Sequence, residues 1–326
     1  LTTIVDDPTG YGRIIKENDT FKAIVEQKDC DSEQAKVREI NSGIYWFKAE
    51  KLSGLLDKLG NNNAAGEYYL TDTVAVAEKK GVYTADSTDV VLGANSRSQL
   101  AALNEVARKR KLAELMDEGV DIPLSDGIII GKDVKIGHDT VILPNTIIKG
   151  NTVIGNGCEI GPNSYIADCV IEDNVILNNV QAHESKVDSC AKAGPFVHLR
   201  PNTHLHSGVK IGDFVEVKNS EVGINTCIAH LTYVGDSDVG KGVNFGCGCV
   251  TANYDGIKKY RTTIGDNAFI GCNTNLIAPV TIGDNATTAA GSTITKNVPA
   301  DSLAVERGQT RIIEHWEKNS KRIKKA

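Results

Sequence analysis

Apolar positions between residues 130 and 166 recur with a period of six: Ile130, Ile136, Ile142, Ile148, Ile154, Ile160 and Ile166. Neither a helix, at about 3.6 residues per turn, nor an alternating strand repeats in this way. Six is the period of short strands coiled into a parallel β-helix, with one inward side chain per strand. Gly follows four of the seven Ile residues, at Gly131, Gly137, Gly155 and Gly161, where a turn disfavours a Cβ. The repeat is predicted over residues 126–298 with slips. Leu199, Leu205, Ile211 and Val217 keep the spacing, as do Ile264, Ile270, Leu276 and Ile282. Between Thr251 and Ile264 it breaks, and the polar stretch ANYDGIKKYRTT, with a turn at Asp255-Gly256, is predicted as a loop extruded from the coil. Such loops are where binding groups collect.

Before residue 126 the pattern differs. Short strands are expected at Leu1–Val5, Arg13–Ile15, Ala23–Glu26 and Glu39–Phe47, and a polar helical patch near Ser32–Glu39. Helices are expected near Lys51–Leu59 and from Glu67–Asp72 onward. This alternation predicts an α/β domain. It reads as part of a larger one, because the Gly-rich first turn by which open α/β sheets hold nucleotides is missing. Gln99–Glu118 has good helix formers and an apolar stripe at Leu100, Leu103, Val106, Leu112 and Leu115, with Gly119 as its C-cap. Arg108–Lys111 reads as a solvated face of that helix. The expected organisation is residues 1–98, a linker helix over 99–124, a coil over 125–299 and a basic helix or tail over 300–326.

Composition narrows the reading. Aromatics make up 5% of 326 residues, which suits stacked aliphatic rungs. A net charge of −6 argues against a general nucleic-acid binder, although Lys318–Lys325 is basic. No apolar run approaches the roughly 20 residues of a membrane span, and no signal peptide is seen. Eight cysteines form no CxxC pair and are expected as buried free thiols of a reducing compartment, the cytoplasm. His204 and His206 flank inward Leu205 and share one outer side; they read as solvated histidines rather than ligands of a metal.

Several segments together resemble one bacterial family, the bifunctional N-acetylglucosamine-1-phosphate uridyltransferase / glucosamine-1-phosphate N-acetyltransferase, GlmU. They are PTGYGRI (8–14), EINSGIY (39–45), NNNAAGEYYLTD (61–72), HLRPN (198–202), FVEVKNSEVG (214–223), AHLTYVGD (229–236), NFGCG (244–248), TANYDG (251–256) and AAGSTIT (289–295). The resemblance implies a partial Rossmann-like nucleotidyltransferase domain, a linker helix and a left-handed parallel β-helix that assembles as a homotrimer. It implies acetyl transfer from acetyl-CoA to glucosamine-1-phosphate, with a truncated half for making UDP-N-acetylglucosamine from UTP. The alternative is another sugar nucleotidyltransferase whose β-helix only assembles the protein.

Acetyl transfer to an amine needs a base, an oxyanion donor, a phosphate anchor and a coenzyme slot. By resemblance His230 is the base, a residue type matched to deprotonating a sugar ammonium near neutral pH. Asn253 offers an amide donor. Arg200, Lys218 and Lys259 anchor the phosphate, with Tyr233, Asn244 and Tyr254 around the sugar. Acetyl-CoA is expected at Cys247, Cys272, Ala290 and Arg307; the family usually has Ala and Ser at the first two. In the first domain Gly12, Glu26, Asn41 and Asn95 are expected to line the sugar-nucleotide pocket, Asn95 also as a Mg²⁺ ligand. The Gly-rich loop and an Asp sharing that metal do not occur in these 326 residues, so the chain as it stands is expected to make no UDP-N-acetylglucosamine.

Overall fold

The structure, a computed structural model, describes residues 1–91, 93, 94 and 96–315. It divides into two compact units, residues 1–107 and 108–326. Asn95 and the basic stretch Lys318–Lys325 lie outside the described residues.

The first unit holds a four-stranded sheet of β1 (Thr2–Ile4), β2 (Arg13–Glu17), β3 (Thr20–Val25) and β4 (Glu39–Asn41), in the order β1-β4-β2-β3. All three pairings are antiparallel. Asn18 and Asp19, both at positive φ, make the two-residue turn between β2 and β3, a conformation these side chains tolerate. Two helices follow, α1 (Ala49–Leu56) and α2 (Thr71–Val76), and Thr84 adds a parallel bridge to Thr2. The four strands come before the helices, with only single helical turns between β3 and β4, so the expected alternation of strand and helix is not found here, and in this segment no helix links two parallel neighbours. The strand expected to run to Phe47 stops at Asn41, and the patch at 32–39 is a single turn, Gln34–Lys36.

Helix α3 (Arg97–Asp117) is the expected connecting helix. Leu112 and Leu115 from its stripe are buried, whereas Leu100 is exposed. Gly119 caps it at positive φ, its N–H donating to Met116 O. Arg108 is not a solvated charge: its guanidinium donates to the carbonyls of Ser125 and Ile128.

Among the described residues the second unit is a coil of three parallel sheets of 10, 10 and 9 strands, each strand paired with the one three further along the chain except at the end, where Leu303–Ala304 pairs with Thr287–Thr288, two strands before it. Ile130, Ile148 and Ile166 stack in one sheet, Ile136 and Ile154 in the next, Ile142 and Ile160 in the third. All are buried in one continuous apolar column. Burial of each such side chain contributes about 1.5–3 kcal/mol. The end of α3 with Val120 and Ile122 belongs to the same column and closes its first end.

Of the glycines that follow the Ile residues, Gly161 takes the positive φ that a turn demands, whereas Gly137 and Gly155 have a different cause. Gly137 and Gly155 do not adopt positive φ; a Cβ at Gly137 would meet the Gly155 carbonyl at 2.7 Å, and one at Gly155 would meet the Asp173 amide at 2.8 Å. The constraint is the approach of successive rungs. Positive φ falls at Gly161 and on corner asparagines such as Asn145, Asn163 and Asn179, the residue type that bears it best after Gly. The last strand of the coil is Leu303–Ala304, beyond the expected end at 299. No helix among the described residues is long and apolar enough to cross a membrane.

Candidate active site

The break in the repeat is a loop, as the pattern predicted. Thr251 pairs with Leu276 and Leu276 with Ile294, so this turn of the coil takes 25 residues where the next takes 18. The excess forms a small hairpin with an antiparallel bridge between Tyr254 and Lys259. Asp255 Oδ1 accepts from the N–H groups of Ile257 and Lys258, both at 2.8 Å, and Gly256 takes positive φ, which fixes the turn. Arg261 ties the loop's return to the coil by donating to Asp238, Asn219 O and Ser237 O.

At the foot of this loop Asn253 is buried and donates its amide to the Asp236 carboxylate and, at 3.4 Å, to Tyr233 Oη. A carboxylate only accepts, so the NH₂ must face Asp236. In this structure the amide expected to serve an oxyanion is turned toward Asp236, with only a long bond to Tyr233 beside it. Asp236, absent from the sequence reading although it ends the AHLTYVGD segment, also accepts from Asn219 Nδ2 and so ties together two strands and the loop.

Beside this network stand the expected cations. Leu199 pairs with Val217, so Arg200 and Lys218, each following its inward neighbour, occupy equivalent places on successive rungs. The Lys218 ammonium meets that of Lys259 from the loop; this contact first, then burial, holds Lys218 below the usual lysine range against the pull of Asp236. Arg200 donates to Glu216 at 2.7 Å, and that bond raises its already high value. Arg200, Lys218 and Lys259 together make a patch of positive charge suited to an anion.

His230 ends the strand Cys227–His230 and is exposed at the corner that leads into Tyr233; among the described residues its imidazole has no hydrogen-bond partner. The same corner carries the coenzyme candidates on later rungs. Gly248 N–H donates to Leu231 O, Asn273 N–H to Cys247 O and Gly291 N–H to Cys272 O, so His230, Cys247, Cys272 and Ala290 follow one another along the coil. All four are exposed, and Arg307 Cδ would lie 3.9 Å from a Cβ at Gly291. Asn244, exposed, opens the strand Asn244–Phe245, and the Tyr254 hydroxyl donates to Gly256 O rather than toward Asn253.

All eight thiols are free, but the expectation of burial fails for Cys190, Cys247 and Cys272, which are exposed because they sit at corners and not in the inward column. Burial pushes Cys169 and Cys249 up to about 11, the ordinary behaviour of inert core thiols.

In the first unit Gly12, Glu26 and Asn41 do come together. A Cβ at Gly12 would stand 3.3 Å from the Glu26 carboxylate, and Asn41 N–H donates to Gly12 O. Asn41 Nδ2 donates to Tyr45 Oη at 2.6 Å and Thr71 Oγ1 to Glu26 at 3.2 Å, two neighbours the sequence reading did not single out. Burial, opposed by the Asn41 bond, raises the Tyr45 phenol.

Residues 261–296 match the family described as bacterial transferase hexapeptide (six repeats), and the coil is the left-handed parallel β-helix of that fold. Over 97% of its length the chain is 47% identical to the bifunctional protein GlmU of Clostridium acetobutylicum and 49% identical to that of Acetivibrio thermocellus, covering 70% of each. It is 45% identical to the bifunctional protein GlmU of Desulfitobacterium hafniense over 99% of its length and 72% of the relative. The chain therefore belongs to the GlmU family of hexapeptide-repeat transferases.

Proposed function

We propose that the coil transfers an acetyl group from acetyl-CoA to the amine of glucosamine-1-phosphate. The observation that carries this reading is the placing of Arg200 and Lys218 at equivalent places on successive rungs, with Lys259 of the loop near enough to depress the Lys218 pKa, a cluster of cations that an anion such as a sugar phosphate relieves. With the phosphate held there, the sugar lies by Tyr233, Asn244 and Tyr254, and its ammonium faces His230. His230 accepts the ammonium proton. The amine nitrogen then bonds to the thioester carbonyl carbon, the C–S bond breaks, and the departing thiolate is protonated as coenzyme A leaves. Attack by the amine is direct, and no acyl-cysteine is needed. Asp236, Asn253 and Tyr233 form the linked wall that sets the sugar's position; Asn253 serves the oxyanion only by giving up its long bond to Tyr233. Acetyl-CoA lies along the corner of Cys247, Cys272 and Ala290 with Arg307 at its far end, and Cys272 offers a weaker hydrogen bond there than a hydroxyl would.

A homotrimer belongs to the same reading. Phe196, Phe214 and Leu231 occupy successive corners at positive φ, exposed, with the two Phe rings stacked at 5.1 Å. Apolar residues in a conformation that favours Asn make sense as a ridge covered by another copy. In the first unit, Gly12, Glu26 and Asn41 provide part of a pocket for a sugar nucleotide; the proposal there extends to binding alone.

The test follows thiol release from acetyl-CoA with glucosamine-1-phosphate. His230→Ala is expected to slow turnover by about 10²–10⁴-fold without changing the circular dichroism. An inactive wild type overturns the function, and equal activity in both proteins removes His230 as the base.

A further inference from the structure

On a different sheet from these cations, His204 and His206 are not the solvated histidines their spacing predicts. Their side chains are 21% and 34% exposed, and all four ring nitrogens face carboxylates. His204 Nε2 lies 2.9 Å from Asp188 Oδ1 and its Nδ1 2.9 Å from Glu221 Oε2. His206 Nδ1 lies 3.0 Å from Asp188 Oδ2 and its Nε2 3.1 Å from Glu221 Oε2. The register explains the meeting. Lys186 pairs with His204 and His204 with Glu221, so three successive rungs present these side chains to one outer face.

Three of these contacts are hydrogen bonds, His204 Nε2 and His206 Nδ1 with Asp188 and His206 Nε2 with Glu221; carboxylates only accept, so they require three protons, whereas two neutral imidazoles bring two. If each ring donates its N–H to Glu221, the lone pairs of His204 Nε2 and His206 Nδ1 face the two oxygens of Asp188. Protonating both rings would place two positive charges 3.9 Å apart between centroids. One divalent cation between Asp188 and the two free nitrogens removes the conflict with a single charge centre. We propose that Asp188, His204 and His206 bind a divalent transition metal of the zinc class, with Glu221 holding the outer nitrogen of each imidazole. One ligand atom from each of the three residues lies within 4.8 Å of the others. The N···O spacings open by a few tenths of an ångström to reach the roughly 3.3 Å ligand separation of a tetrahedral zinc ion. Two imidazoles and a carboxylate suit Zn²⁺ or Co²⁺ better than Mg²⁺ or Ca²⁺, and hydrogen-bonding of each ligand His to an outer carboxylate is the usual support of such a centre. The fourth position is left to water. Lys186 Nζ, 2.9 Å from Asp188 Oδ1 and 3.6 Å from Glu172 Oε1, competes for the same carboxylate and tempers the affinity. The metal would staple three rungs of the coil from outside.

The probe is Co²⁺ titrated into the full chain and followed by its visible absorption. One equivalent is expected, without the near-ultraviolet band of a cobalt thiolate. His204→Ala/His206→Ala should abolish it, Glu221→Gln should weaken binding by about 10–100-fold, and Lys186→Ala should tighten it. The Lys186 variant removes a competitor and keeps the proposal testable if the double variant folds poorly. Zn²⁺ should raise the melting temperature of the wild type and not of the double variant. Absence of the visible band, an unaltered titration in the double variant, or a thiolate band overturns the proposal.

Discussion

The first rungs of the coil and the rungs around the extruded loop are built from the same repeat, yet they solve different problems. Between Ile130 and Ile166 every sixth place holds a buried isoleucine, the smaller places between them hold side chains such as Val134 and Thr140, and each rung follows the last at 18 residues. Around the loop the inward place is Thr251, and its hydroxyl accepts the Gly235 N–H at 2.7 Å and contacts the Gly235 carbonyl at 3.1 Å. The ladder to the preceding rung holds only the Tyr233–Val250 pair, so the Gly235 amide lacks a backbone acceptor there. A polar side chain inside the column replaces it. Regular rungs carry stability, and the irregular ones exchange apolar burial for a place where the chain can depart and bring Lys259 to Lys218.

That division can be broken in the regular part first. Ile148→Ala removes a fully buried side chain and should cost about 2–5 kcal/mol in denaturant unfolding, while the folded fraction keeps its turnover. A large fall in turnover per folded molecule would show that the floor of the coil is coupled to the site. Thr251→Val conserves volume and should cost less, about 1–3 kcal/mol, because Gly235 loses its acceptor. Here turnover with glucosamine-1-phosphate should also fall, since Gly235 lies between Tyr233 and Asp236; an unchanged KM would mean that Thr251 serves stability alone.

The same contrast explains what could be read from the sequence. The hexad names inward residues directly, and so the coil and its interruption were legible from isoleucine spacing and the polar ANYDG stretch. Contacts between rungs were not, because they join residues a full turn apart. Asn253 meets Asp236 across 17 positions, and His206 meets Asp188 across 18. Reading at that offset would have found both. Two of the glycines misled for the same reason: Gly137 and Gly155 are required by the rung beside them and not by their own φ. In the first unit, where no period acts, the strand predicted to run through Phe47 ended at Asn41 because propensity alone did not mark its boundary.

The smallest effect concerns Lys218. Contact with the Lys259 ammonium lowers its pKa in the folded chain. Below that folded pKa the protein carries the full repulsion between the two cations; as pH rises through it Lys218 loses its proton before an unfolded lysine would, and the cost disappears. A bound phosphate reverses the balance by favouring the charged form, so binding is strongest while Lys218 stays protonated. The KM for glucosamine-1-phosphate should therefore climb on the alkaline side before the ordinary lysine range near about pH 10 is reached. Lys218→Arg keeps its charge throughout and should flatten this rise, even if its bulkier fork weakens binding at neutral pH. Steady-state kinetics across the alkaline range decides the matter. An equally early rise in the arginine variant would place the titrating group elsewhere in the site and remove Lys218 as the phosphate's pH-sensitive partner.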